Sequence, residues 1–253
     1  MVPSLFLAHG SPMIAIQNNE YTKALKEIGG NIKPKAIIIF SAHFEEHTTT
    51  ICYTDSEYET IYDFGGFPKE LYDITYPAMG SKEIAEMVSE RLKANNIPTN
   101  FNTSRGLDHG SWTLLKHMYP SADIPVVQVS VNPTLSAKEQ YEIGKALRGL
   151  GEEDILVIGS GALVHNLRIL KWNQTTADEW AVEFDEWVIE KVQNQDLDAL
   201  FNWENEAPHA RLAVPRDEHF VPLFIAMGSG QSEPKWIYRG YELGNLSYLS
   251  FAF

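Results

Sequence analysis

Apolar residues in this chain fall into two kinds of pattern. The first is the short unbroken run: Leu5 to Ala8 in PSLFLAH, Ala36 to Phe40 in KAIIIFSAH, and the start of DILVIGSGALVH at Asp154 to His165, with Val126 to Val131 (VVQVSV) a further strand interrupted by Gln128 and Ser130. Such runs have the length and apolar continuity of strands buried on both faces. The second is helical spacing. It predicts helices around Tyr21 to Ile28, over Ile84, Val88 and Leu92, over Leu114, Leu115 and Met118, and along the stripe Trp180, Phe184, Trp187, Val188 and Val192. Runs and helices alternate, which favours a parallel sheet.

Further strands are expected at Thr48 to Tyr53, Thr99 to Thr103 and Leu246 to Phe253, and an apolar helix from Phe220 to Met227 stops at Gly228 and Gly230. Helix starts are marked by Ser81, by Ser111, and by two capping boxes, Ser136 with Glu139 and Thr176 with Glu179. The Ser136 helix is expected to run to about Leu150. The fold expected is one α/β domain over residues 1–253, with a mostly parallel central sheet flanked by helices and a metal site at the C-terminal ends of its strands.

Periodicity disappears between Asp55 and Gly80. That stretch holds Tyr62, Phe64, Phe67, Tyr72 and Tyr76 among Gly and Pro, more aromatic surface than a plain connector requires, and reads as a functional loop.

Three of the apolar runs deliver a histidine where the strand should end: His9, His43 and His165. Loops at one sheet edge bring such residues together, so they are candidates for a metal site. His219, ahead of the apolar helix, also sits at an element end. His109 is expected just outside the helix opened by Ser111, where the dipole favours a neutral ring. By contrast His47 is expected on an edge strand, His117 inside a helix and His209 in a polar loop, without special roles.

Composition narrows the chemistry. The formal charge of −14 with scattered basic residues excludes nucleic acid as a natural partner. The single cysteine, Cys52, excludes an internal disulfide framework and a site of several thiolates, so a metal must be held by nitrogen and oxygen. No cationic side chain precedes Lys23, and Leu5 to Ala8 is too short for a signal peptide or a membrane span, so a cytoplasmic protein with no membrane partner is expected. HExxH, P-loop, GxGxxG and GxSxG patterns are absent, and Gly159-Ser160-Gly161 reads as a tight turn before His165.

Six motifs in order resemble one family over nearly the whole chain: HGSP at His9 to Pro12, SAHFE at Ser41 to Glu45, DFGGFPKELYDITYPAMG at Asp63 to Gly80, LDHGSW at Leu107 to Trp112, GSGALVHNL at Gly159 to Leu167 and DEHFVPLFIAMG at Asp217 to Gly228. They are similar to the LigB-type extradiol ring-cleavage dioxygenases, in the 4,5-DOPA dioxygenase-like branch. The resemblance implies a non-haem metal, Fe(II) for turnover with Zn(II) as a possible occupant, and a catechol substrate cleaved with O2. It implies His9, His43 and His219 as metal ligands. His165 falls at the position of the catalytic base in the ring-cleaving relatives, a position that in this branch can also supply a fourth ligand, and His109 matches an active-site histidine contacting substrate or oxygen.

Two departures stand out. Better-known members of the wider superfamily have a glutamate as third ligand where this chain offers His219, with Asp217 and Glu218 adjacent. Phe44 and Met79 stand where relatives often have Trp and Pro, which bears on the substrate. A zinc hydrolase using the same ligands, and a non-catalytic binding protein of the Memo type, are the alternatives. The sequence does not give an oligomeric state.

Overall fold

Alternate residues of the buried runs face two different helical layers, and this sorts the chain. In the computed structural model, which describes residues 1–172, 174 and 176–253, strands β1 (Leu5–Ala8), β2 (Ala36–Glu45), β3 (Thr49–Cys52), β4 (Thr99–Asn102), β5 (Val126–Val131) and β6 (Ile155–Gly161) are followed late in the chain by β7 (Lys235–Tyr238), β8 (Tyr241–Glu242), β9 (Leu246–Ser247) and β10 (Ser250–Ala252). Eight of them form one sheet in the order β4-β3-β5-β2-β6-β1-β10-β7, and β8 pairs with β9. The centre, β5-β2-β6-β1, is parallel. Antiparallel pairs join β3 to β5, β1 to β10 and β10 to β7.

Helices α1 (Glu20–Asn31), α2 (Lys82–Ala94), α3 (His109–Met118), α4 (Ala137–Ala146) and α5 (Glu179–Gln193) precede the short α6 (Leu197–Phe201), α7 (Trp203–Glu206) and α8 (Ala210–Ala213), and the apolar α9 (Pro222–Ser229). Ile37 and Ile39 of β2 join Leu25 of α1 and Leu114 and Leu115 of α3 in one buried cluster, whereas Ile38 and Phe40 join Val88 and Leu92 of α2, Ile143 of α4 and Ile225 of α9 in another. A third cluster packs Phe184 and Val188 of α5 against Phe224, Phe251 and Phe253. A sheet covered on both faces accounts for the unbroken apolar runs. No helix among the described residues is long and apolar enough to cross a membrane.

Several boundaries differ from expectation. α3 begins at His109 itself, with Asp108 at its N-cap position. Ser111 lies inside the first turn and donates to Gln128 Oε1 at 2.6 Å, so the histidine is helical, not just outside. The Thr176–Glu179 box does not form: α5 starts at Glu179 after Asp178, and Thr176 lies in a bend. The Ser136–Glu139 box does form, but its helix ends at Ala146 and a 3-10 turn, Leu150–Glu153, follows. His47 lies in the turn between β2 and β3 instead of on a strand, and the C-terminal apolar segment splits into β9 and β10.

Gly159-Ser160-Gly161 is no turn. It continues β6, and its glycines serve close packing: a Cβ at Gly159 would lie 2.2 Å from the Pro222 carbonyl oxygen, and one at Gly161 2.1 Å from that of His219. These two positions let the start of α9, and His219 three residues before it, press against the end of β6.

Candidate metal centre

Register sets where the histidines emerge. Ala8 pairs with Gly161 and Ser41 with Ser160, so β1, β2 and β6 finish side by side. His9 directly follows β1. At the end of β2 the pairing with β5 jumps from Ser41↔Ser130 to Glu45↔Val131, and the bulged residues between them carry His43. His219 ends a 3-10 turn, Asp217–His219, whose carbonyl accepts from Ala162 N–H at 2.8 Å, fastening it to the segment after β6. His165 follows three buried residues, Ala162 to Val164, and lies flat on the His219 ring.

Three ring nitrogens converge. His43 Nε2 is 3.1 Å from His9 Nε2 and 3.3 Å from His219 Nε2. The opposite nitrogens are each occupied. Ser160 donates its only hydroxyl proton to Gly110 O, so at 2.9 Å its oxygen must accept from His9 Nδ1–H. His219 Nδ1 is 3.1 Å from Glu218 Oε1, and His43 Nδ1 is 3.4 Å from Asp63 Oδ2. Protons on the three Nδ1 atoms leave three Nε2 lone pairs facing one another.

Lone pairs so arranged repel unless a cation lies between them. Ligands held about 2.1 Å from a shared ion, at angles between right-angled and tetrahedral, stand about 3.0 to 3.4 Å apart, which matches both separations. The outer partners Ser160, Glu218 and Asp63 are of the kind that orient metal-bound imidazoles. The residues present therefore fit a divalent metal with nitrogen ligands and open positions. Overlapping groups, His43 with Asp63 and His109, and His165 with Glu218 and His219, surround it.

Electrostatics agree. Burial, reinforced by the neighbouring rings, holds His9 and His219 well below the ordinary imidazole value, and burial likewise depresses His43. His165 is pushed down to about 4, first by burial and then by His109. These rings are neutral at pH 7, the form that binds metal or accepts a proton. Burial alone would raise Asp63, but His109 and His43 outweigh it and hold the carboxyl below the usual range. Asp63 Oδ1 accepts from the His109 backbone N–H at 3.0 Å and lies 2.9 Å from His109 Nδ1.

The centre opens into a cavity of about 890 Å³, large enough for a small aromatic molecule. His9, His43, His109 and His165 line it, together with Phe64 and Phe67 of the aromatic loop, Leu167, Leu170 and the exposed Trp172. Phe64 meets His109 edge-on, with ring centroids 5.6 Å apart. The loop expected to be functional thus supplies both Asp63 and an apolar wall. The remaining histidines stay apart: His117 Nε2 is 2.6 Å from Ile14 O, and His209 pairs with Glu183 at the surface.

Sequence reasoning did not assign Asp63, Ser160 or Glu218 as partners of the rings. Glu218 was legible as a carboxylate beside His219. Asp63 and Ser160 were not, because only the fold sets them against His43 and His9.

The family model of the catalytic LigB subunit of aromatic ring-opening dioxygenases matches residues 2–252. A protein of Beta vulgaris named 4,5-DOPA dioxygenase extradiol is 37% identical over 99% of this chain and 96% of its own length. One of the same name from Escherichia coli K12 is 38% identical, covering 98% of this chain and 93% of its own. The crystal structure of an uncharacterized protein from Escherichia coli K12 superposes with a TM-score of 0.85 at 34% identity, covering the whole of both chains.

Proposed function

The chain belongs to the LigB family of aromatic ring-opening dioxygenases and is a ring-cleaving, extradiol enzyme; from that premise we propose that it is metal-dependent and opens a DOPA-like catechol with O2. The observation that carries the metal is the convergence of His9, His43 and His219 through Nε2 atoms 3.1 and 3.3 Å apart. These three would hold the ion, and His165, stacked on the His219 ring, would stay off it. Fe(II) is the occupant for turnover and Zn(II) an alternative one. Bound Fe(II) supplies a Lewis acid for the catechol oxygens and an electron for O2.

The chain's own groups do the rest. His165, neutral and held down to about 4, takes the second hydroxyl proton as general base, help typically worth about 10²- to 10⁴-fold. His109, its Nδ1 2.9 Å from Asp63, keeps Nε2 for a hydrogen bond to substrate or to reduced oxygen. Phe64 and Phe67 wall the cavity against water on the side of the aromatic ring. Residues 1–253 act as one catalytic domain, since the cavity draws on Gly10 to Gln17 at one end of the chain and Tyr241 to Leu246 at the other.

The test is oxygen consumption by anaerobically Fe(II)-loaded protein with DOPA and a small catechol panel, beside a zinc-loaded control. Iron-dependent uptake with a yellow ring-opened product is expected. Silence across the panel with iron shown to be bound would overturn the assignment, and turnover of an ester without O2 would point to a hydrolase.

A further inference from the structure

One side chain in the cavity is not used by the chemistry above. Glu242, at the end of β8, lines the same cavity as the histidines. Its position is fixed: Tyr248, a buried residue, donates its hydroxyl proton to Glu242 Oε2 at 2.7 Å, and Gln17 Nε2 touches Oε1 at 3.4 Å. Tyr248 in turn packs against Gly10, the residue after His9. A Cβ there would lie 2.4 Å from the Tyr248 hydroxyl oxygen, and Gly10 has φ +58°, so glycine is required twice over. The carboxylate is therefore anchored two short contacts from the loop that leaves the metal centre, with acceptor capacity left on Oε1.

Away from the metal centre, the described lining of the cavity offers no cationic side chain as counter-charge to Glu242. Among the described residues lining it there is neither Lys nor Arg, while Asp63 adds a second carboxylate already engaged with His43 and His109. Nearby cations are turned elsewhere: Lys171 pairs with Asp178 and Arg239 with Glu186. Away from the metal, a ligand carboxylate would meet no cationic side chain among the described lining, whereas an ammonium group would meet Glu242.

We propose that Glu242 recognises a cationic amino group on the side chain of the substrate, so that the preferred catechol is one bearing an ammonium, and a carboxylate on it contributes nothing to binding. This rests on the ring-cleavage reading for the catechol end. Its own content is the choice of side chain. A charge-assisted hydrogen bond to a fixed carboxylate makes the amine about tenfold or more tighter than a neutral analogue.

The experiment is binding to the zinc-loaded protein by calorimetry under nitrogen, with dopamine, DOPA, 4-methylcatechol and 3,4-dihydroxyphenylacetate as probes. Dopamine is expected to bind at least as tightly as DOPA, both about tenfold or more tighter than 4-methylcatechol, with the acid weakest. Glu242→Gln should collapse the ratio of amine to neutral catechol. The proposal is overturned if the acid binds as tightly as the amine, if DOPA far exceeds dopamine, if no probe binds, or if the variant, correctly folded, keeps the ratio. Should the variant not fold, the wild-type order decides alone. Oxygen uptake by the iron-loaded protein separates the two readings: uptake without amine preference contradicts the role of Glu242 only, whereas amine preference in binding without any uptake contradicts ring cleavage only.

Discussion

His165 lies flat on His219, with ring centroids 3.6 Å apart and planes inclined by 12°. Stacked imidazoles of this kind tolerate one charge poorly and two hardly at all, because burial desolvates the charge and two cations would face each other at close range. The pair thus joins a ring aimed at the metal to a ring free to take a proton.

Acid should weaken the metal-free protein partly through His165. Its folded value of about 4 lies below the unfolded one near 6.5, so between these limits the unfolded chain binds more protons. The contribution is complete above pH 6.5 and is lost as pH falls toward 4. Buried acids such as Asp185, pushed up to about 6 by burial, slope the other way. Comparison with His165→Gln isolates the ring. From pH 7 to 5 the parent should lose up to about 2 kcal/mol more stability than the variant in urea unfolding; equal losses would contradict a buried neutral His165.

His9→Ala and His43→Ala should each abolish metal retention together with turnover, whereas His109→Phe should retain metal and lose rate. Metal analysis after dialysis against a mild chelator decides the first pair, and oxygen uptake the second. Full metal in both alanine variants would remove them from the ligand set.

Ser160→Ala removes the acceptor that keeps the proton on His9 Nδ1. Loss of an outer partner of this kind typically costs about 10- to 100-fold in metal affinity, with the fold retained. Competition with a fluorescent chelator measures it. Unchanged affinity would mean that Ser160 does not set the tautomer.

Gly161→Ala should be harmful out of proportion to its size. The new methyl would meet the His219 carbonyl oxygen at 2.1 Å and push the His219 turn away from β6. A cost of about 1 to 3 kcal/mol is expected, with loss of metal. Gly30→Ala, in α1 with open space around it, should instead stabilise by up to about 1 kcal/mol. Melting curves of the two variants make the comparison.

The runs at Leu5, Ala36 and Ile155 were legible as central strands because burial on both faces leaves few polar positions to interrupt them, and Val126 to Val131 because its valines recur around the buried Gln128 and Ser130. His9 and His43 were legible as a site because each closes or follows an apolar run, which places it near the C-terminal edge of the sheet, although β2 continues through a bulge to Glu45. The start of α3 was misread because Ser111 offers a capping hydroxyl, but the fold spends it on Gln128. The glycines of β6 were misread as a turn, since what they accommodate, the turn bearing His219 and the start of α9, lies some sixty residues further along the chain. Asp63, Ser160 and Glu218 could not be tied to their rings without register, which is a property of the sheet as a whole.

Labelled oxygen gives the most direct test of the central claim, that three converging imidazoles hold a metal for extradiol cleavage. The iron-loaded protein would be given a catechol under ¹⁸O2 and the product weighed by mass spectrometry. A ring-opened product carrying both labelled atoms, formed by the parent and not by His43→Ala, is the expected result. An unlabelled product, or an equal yield from the variant, would contradict it.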